Sequence, residues 1–187
     1  MSTDIQLIVG LANPGPEYKH TRHNAGAWFI EELCRAQNIS LKNDPKYFGY
    51  TAKIFIDGNE VRVLVPTTFM NLSGKAVNYW LQKEKLHTDK LLVLVDDVAL
   101  PFGALRIRSK GADAGHNGLK DINFTLGHQN YARLRFGIGD DYPKGAQAHY
   151  VLSPWTDEEK KQLPPRIELA IEAIKSFGVV GIANTMN

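Results

Sequence analysis

Residues 91–95, LLVLV, form the most apolar run of the chain and carry no polar alternation. A strand that is apolar on both faces must be covered on both faces, which is the condition of a central strand in an α/β sheet. The run delivers Asp96 and Asp97 at its C-terminal end. In an open α/β sheet, the crevice outside the carboxyl ends of the strands is where ligands bind. A carboxylate there can orient a histidine or hold a metal, and paired aspartates after a strand can equally cap a turn.

A second junction of this kind lies near the N-terminus. Residues 5–9 read as a short buried strand, and residues 10–16, GLANPGP, break it with two glycines and two prolines, as a sharp loop requires. The loop carries Asn13, and Tyr18 follows. His20, Arg22, His23 and Asn24 then precede an apolar-periodic segment (Ala27, Trp28, Ile30, Leu33, Cys34) that predicts a helix ending near Gln37 or Asn38. Each polar residue also has a structural reading: Asn24 as a helix cap, His20 as solvated surface, Tyr18 as a lid over apolar side chains.

Residues 39–47 are polar and contain Pro45. Residues 48–56 and 60–65 predict two strands joined by the turn Asp57, Gly58, Asn59, a hairpin that makes the sheet mixed. Beyond Pro66, a helix is expected with Leu72, Ala76, Val77, Tyr79, Trp80 and Leu81 on its apolar side and Asn71 and Ser73 at its start. Asn71 occupies the same type of junction as Asn13, and capping serves equally well as its explanation. On the segment ALRIRSK, Arg106 and Arg108 alternate with Leu105 and Ile107 and should share a strand face.

The segment GADAGHNGLKDINFTLG enters a helix through His116 and Asn117. Its glycines lack both the lysine-serine/threonine ending of a phosphate loop and the dinucleotide spacing, so neither kind of nucleotide site is expected. Residues 131–138 predict a strand with Leu134, Phe136 and Ile138 on one side and Tyr131, Arg133 and Arg135 on the other. Residues 139–155 are loop-like. From Thr156 a capped helix is expected, interrupted at Pro164 and Pro165, with Ile167, Ala170, Ile171, Ile174 and Phe177 closing one side of the sheet. The residues after Val179 are not expected to carry chemistry.

These elements predict an α/β fold: a single domain over residues 1–187, built on a twisted mixed β-sheet flanked by helices. At 187 residues with 43% hydrophobic content, the chain can bury a sizeable core. The formal charge of +2, from 22 basic and 20 acidic residues, does not announce a nucleic-acid binder, so any basic footprint has to come from local clustering. The lone Cys34 excludes an intramolecular disulfide and a thiolate cage for zinc, and it falls on the apolar side of the first helix as core packing. There is no basic start followed by a long apolar run, and no 18-residue apolar segment, so a cytoplasmic protein without a membrane span is expected.

Polar side chains thus gather at four element junctions: residues 13–23, Asn71, Asp96, and His116 with Asn117. A histidine can take a proton from water near neutral pH, because its reference pKa is about 6.5. An aspartate on the other ring nitrogen would set the tautomer and stabilise the imidazolium. Asparagines offer donors and acceptors without charge, suited to a peptide main chain or a polarised carbonyl. GxSxG is absent, which favours direct attack by water. A metal reading with His20, His23, Asp96 and His116 as ligands competes, although HExxH is absent and the asparagines would be surplus. Arg106, Arg108, Lys110, Arg133 and Arg135 could form an anion clamp or an ordinary solvated edge.

Four segments carry a family resemblance: GLANPGPEYKHTRHNAGAWF, VPTTFMNLSGKAV, the aspartate pair after the central strand, and AGHNGLKDI followed by RLRFGIG. Over roughly residues 5–175 the sequence resembles the bacterial-type peptidyl-tRNA hydrolases. The resemblance implies hydrolysis of the ester joining a peptide to the 3′ terminal ribose of tRNA, recycling tRNA from chains released prematurely. It further implies that His23 is the general base for water, that Asp96 orients it, and that Asn13, Asn71 and Asn117 position the peptidyl part and the ester. Tyr18 would line the same cleft, and Arg108 and Arg135 would grip the tRNA 5′ phosphate. No metal or other cofactor is implied, and the protein would act as a monomer with peptidyl-tRNA as its partner.

Two departures stand out. Family members often carry a histidine immediately before the catalytic aspartate, where this chain has Val95, which implies altered tuning around a retained Asp96. The segment GDDYPKGAQAHY and the short C-terminus also differ from longer members, which bears on the cleft wall and the tRNA grip. A tRNA-binding protein without catalysis, a small-molecule esterase and a structural adaptor are the competing classes.

Overall fold

A computed structural model describes residues 5–180, the side chains of residues 177–180 excepted. The side chain of Phe177, expected in the core, and the tail beyond residue 180 lie outside the described residues. In chain order the elements are β1 (Leu7–Gly10), α1 (Ala25–Ala36), β2 (Lys42–Asp44), β3 (Gly49–Ile56), β4 (Asn59–Pro66), α2 (Ser73–Lys83) and β5 (Leu91–Asp97). They continue with β6 (Leu105–Arg108), α3 (Asn117–Leu126), β7 (Ala132–Gly137), α4 (Gln147–Val151) and α5 (Asp157–Val180).

The seven strands form one sheet in the order β2-β3-β4-β1-β5-β7-β6. Its centre is parallel, with β1 between β4 and β5 and β7 beside β5. Antiparallel strands finish both edges. The hairpin expected at Asp57 forms with both Asp57 (φ 49°) and Gly58 (φ 81°) in the left-handed region, the turn whose twist suits paired strands.

Every residue of β5 is buried, as its unbroken apolar run requires. Leu92 and Leu94 join a core with Ile8, Leu134, Phe136, Phe29 of α1 and Ile167 of α5. Leu91, Val93 and Val95 join the opposite core with Leu7, Val9, Trp80 of α2 and Leu119 of α3. Alternate side chains thus feed two layers, and each fully buried aliphatic side chain contributes about 1.5–3 kcal/mol relative to exposure.

Four local expectations are corrected. The polar segment before Pro45 contains β2, a three-residue strand that pairs with β3 at the sheet edge, where polar side chains meet solvent. Residues 139–155 are not all loop, because α4 forms within them. Helix α5 runs through Pro164 and Pro165 without interruption. Its Leu163, Ile167, Ala170 and Ile174 are buried along one side, and that packing outweighs the backbone hydrogen bonds that the prolines forgo. Finally, Leu72 is 51% exposed, because it belongs to a 3-10 turn ahead of α2 and not to its buried side.

Candidate active site

The N-terminus of α1 presses onto the carboxyl ends of β1 and β5. A Cβ on Gly26 would lie 2.4 Å from Leu94 O, and one on Gly10 would lie 2.2 Å from Gly26 O, so only glycines permit this approach. The approach carries the 3-10 turn Arg22–Asn24, immediately ahead of α1, against Asp96 at the end of β5. His23 Nδ1 lies 2.9 Å from Asp96 Oδ2 and 3.0 Å from Oδ1. Both side chains are buried, yet both line a cleft of about 730 Å³.

The cleft also receives Asn13, Asn71, Asn117 and Arg135. Asn13 is fixed by donor chemistry: its Oδ1 accepts from Met70 N–H at 2.7 Å, while its backbone N–H donates to Asn24 Oδ1 at 2.9 Å. Asn24 Nδ2 donates back to Asn13 O at 2.9 Å. Asn24 therefore ties the loop after β1 to the turn bearing His23, and it makes no side-chain cap on α1, contrary to its structural reading. The Asn13–Met70 bond joins that loop to the 3-10 turn Met70–Leu72, which presents Asn71. Asn117 stands exposed at the first position of α3.

His116 is a partner that the sequence pattern did not assign. Its Nε2 lies 3.0 Å from Asp96 Oδ1, and its Nδ1 accepts from Gly118 N–H at 3.1 Å as the N-cap of α3. An Nδ1 that accepts backbone protons carries none itself, so the ring proton sits on Nε2 and is donated to Asp96. Asp96 thus accepts from two imidazoles whose ring centroids are 4.7 Å apart. The available signal was position: His116 sits at a helix entry facing a strand exit, as His23 does.

Ligand atoms of His23, Asp96 and His116 lie within 4.8 Å of one another. The donor set does not suit a metal, because His116 Nε2 bears a proton and offers no lone pair. His20, the fourth ligand considered, is exposed and outside the cleft lining.

The charges settle one another. Burial would raise the Asp96 carboxyl, but the neighbouring His23 and His116 and their hydrogen bonds hold it well below the usual carboxylate range. Burial would depress His23, and the Asp96 charge and hydrogen bond outweigh it and raise the imidazole above its ordinary value. For His116 burial prevails over Asp96, aided by the charges of His23 and Arg135, and lowers it. Cys34 is buried in the core away from the cleft, where burial, then Glu31, pushes its thiol up to about 11.

Arg22 braces the opposite wall. Its guanidinium binds Glu159 Oε1 at 2.7 Å, Tyr150 O at 3.2 Å and Ser153 Oγ, and lies 4.1 Å from the Tyr150 ring centroid. It thereby locks the His23 turn to α4, whose Gln147, Ala148 and Val151 line the cleft.

The remaining expected residues divide. Tyr18 is not among the lining residues: it closes the 3-10 turn Pro16–Tyr18, and its carbonyl accepts from Thr21 Oγ1 at 2.8 Å. Arg106 pairs in register with Arg135 and Arg108 with Arg133, so all four share one face of the sheet edge. Their fates differ. Arg108 is exposed. Arg133 is fully buried, donating to Gly111 O at 2.7 Å and Gln129 O at 2.8 Å, and is no part of an anion clamp. Arg135 is 8% exposed, donates to Ala112 O at 2.6 Å and lies 3.7 Å from Asp97 Oδ2. It lines the cleft itself.

An imidazole held at one nitrogen by a carboxylate and facing a cleft at the carboxyl ends of parallel strands is an arrangement that can take a proton from water. Comparison with known proteins gives the family. The family model described as peptidyl-tRNA hydrolase matches residues 7–187. A peptidyl-tRNA hydrolase of Bacteroides fragilis is 55% identical over 181 residues, covering 97% of this chain and 96% of the relative. One from Vibrio cholerae is 43% identical over 188 residues, covering 100% and 96%. The crystal structure of peptidyl-tRNA hydrolase from Acinetobacter baumannii superposes with a TM-score of 0.93 at 37% identity, covering 100% of this chain and 95% of that one. The chain belongs to the peptidyl-tRNA hydrolase family.

Proposed function

We propose that the cleft hydrolyses the ester between a peptide and the 3′ terminal ribose of tRNA, using water that His23 activates. The observation that carries this reading is the contact of His23 Nδ1 with both Asp96 oxygens on the wall of the cleft. With its Nδ1 proton donated to Asp96, His23 has its lone pair on Nε2. Water gives a proton to Nε2 as its oxygen attacks the ester carbonyl carbon, and Asp96 stabilises the imidazolium. When the tetrahedral intermediate collapses, the bond from carbon to the ribose 3′ oxygen breaks and Nε2 returns the proton to that oxygen. The products are a peptide carboxylic acid and deacylated tRNA.

Asn13, Asn71 and Asn117 act on the substrate as uncharged donors and acceptors, holding the peptide main chain and the ester. Arg108, exposed on β6, takes the 5′ phosphate as a guanidinium suited to bidentate contact, and Arg135 supports it from the cleft side. The reading involves no cofactor and has the enzyme act as a monomer in the cytoplasm. Among the described residues no helix is long and apolar enough to cross a membrane.

Release of deacylated tRNA from N-acetyl-aminoacyl-tRNA, measured beside free aminoacyl-tRNA and a simple ester, tests the reading. Preference for the blocked tRNA substrate, retained after chelation, is expected. Equal turnover of the simple ester would indicate a general esterase, and binding without release would indicate a passive tRNA-binding protein.

A further inference from the structure

Leu72 is a wall of the cleft on one side and, on the other, of a shallow groove bordered by Phe48, Lys75, Tyr79, Asp121 and Phe124. Large apolar side chains stand open along this path: Phe69 is 54% exposed, Leu72 51% and Phe124 87%. Isolated exposed apolar residues need no explanation, but these follow one another outward from the cleft.

Helix α3 sets the scale. Asn117 opens it in the cleft, and Asp121 and Phe124 follow at i+4 and i+7 on the same face. At a rise of 1.5 Å per residue, Phe124 lies about 10 Å beyond Asn117 along the helix. An extended peptide covers about 3.3–3.6 Å per residue, so roughly three residues bridge that distance. The two charged groups of the groove make contacts within the fold. Asp121 Oδ2 accepts from Gly74 N–H at 2.7 Å, and Lys75 Nζ lies 4.8 Å from the Phe48 ring centroid. What the groove offers outward is chiefly apolar and aromatic surface.

We propose that this groove receives the peptide part of the substrate from about the third residue upstream of the ester, and favours apolar side chains there. The inference rests on the peptidyl-tRNA reading of the cleft. An RNA strand is the poorer occupant, because the groove's lining sets one cation, Lys75, against the carboxylate of Asp121 and so carries no net positive charge.

The test compares the full-length wild type and Phe124→Ser on N-acetyl-leucyl-tRNA, N-acetyl-pentaleucyl-tRNA and a pentapeptidyl-tRNA with aspartates at the third to fifth residues from the ester. Phe124 is 87% exposed, so its replacement spares the fold. For pentaleucyl-tRNA the substitution should lower kcat/KM about three- to tenfold through KM, as expected for losing part of one aromatic contact. N-acetyl-leucyl-tRNA should be hydrolysed equally by both proteins, and the aspartate substrate should show little difference between them. Identical kinetics of the two proteins on pentaleucyl-tRNA would overturn the proposal. So would an equal loss on N-acetyl-leucyl-tRNA, or weaker binding of deacylated tRNA by the variant, which would mark an RNA surface. If the wild type hydrolysed none of the three, the peptidyl-tRNA reading would fall, and the groove assignment with it.

Discussion

His116 donates from Nε2 to Asp96 Oδ1, the same oxygen that lies 3.0 Å from His23 Nδ1. One carboxylate thus holds two imidazoles in different states: His23 raised by the carboxylate, His116 lowered by burial. In an ¹⁵N-detected titration, His23 should protonate first, above pH 6.5, while His116 stays neutral with its proton on Nε2. Earlier protonation of His116 would reverse the assignment.

The same shifts give a pH–rate profile. With His23 as the proposed base, its neutral form is the active one, so kcat/KM should rise with pH through an apparent pKa above 6.5. Asp96→Asn removes the charge that raises His23 and leaves burial, which lowers it. The acid limb should move to lower pH, while the plateau drops by about 10²-fold or more for lack of imidazolium stabilisation. An unmoved limb would show that Asp96 does not govern His23.

Arg22→Ala should destabilise the fold by about 2 kcal/mol in denaturant unfolding, since it removes the ionic partner of Glu159 and one donor to the Tyr150 carbonyl on the wall that α4 builds, leaving them the bonds from Thr156 N–H and Ser153. Arg22→Lys should recover little, because one ammonium cannot reproduce the forked contacts. A loss below 1 kcal/mol would show that the wall stands without this brace.

Arg108 and Arg135 should behave differently. Arg108→Ala should weaken tRNA binding, lower the salt slope by about one, and spare a minimal substrate of peptide and terminal nucleoside. Arg135→Ala should also slow the minimal substrate, since Arg135 lines the cleft beside Asp97. Equal behaviour on that substrate would place both arginines at the rim.

Much of this was legible because β5 is apolar on both faces and the Asp57 turn admits only a hairpin, so a mixed α/β sheet was required. The pairing of His23 with Asp96 followed from junction position together with the family resemblance. What stayed hidden depends on tertiary context. Alternation placed Arg133 and Arg135 on one face, yet only the packing above that face decides that Arg133 is spent on carbonyls while Arg135 reaches the cleft. Short elements such as β2 and α4 carry too few residues for a period to register. The prolines of α5 obey a local rule that core packing overrides.

The central claim is that His23 is the base for water. The most direct measurement is single-turnover hydrolysis of N-acetyl-aminoacyl-tRNA by wild type and His23→Ala, with tRNA binding and circular dichroism recorded alongside. The account predicts a rate loss of about 10²- to 10⁴-fold with binding and fold retained. Hydrolysis by His23→Ala at the wild-type rate would contradict it.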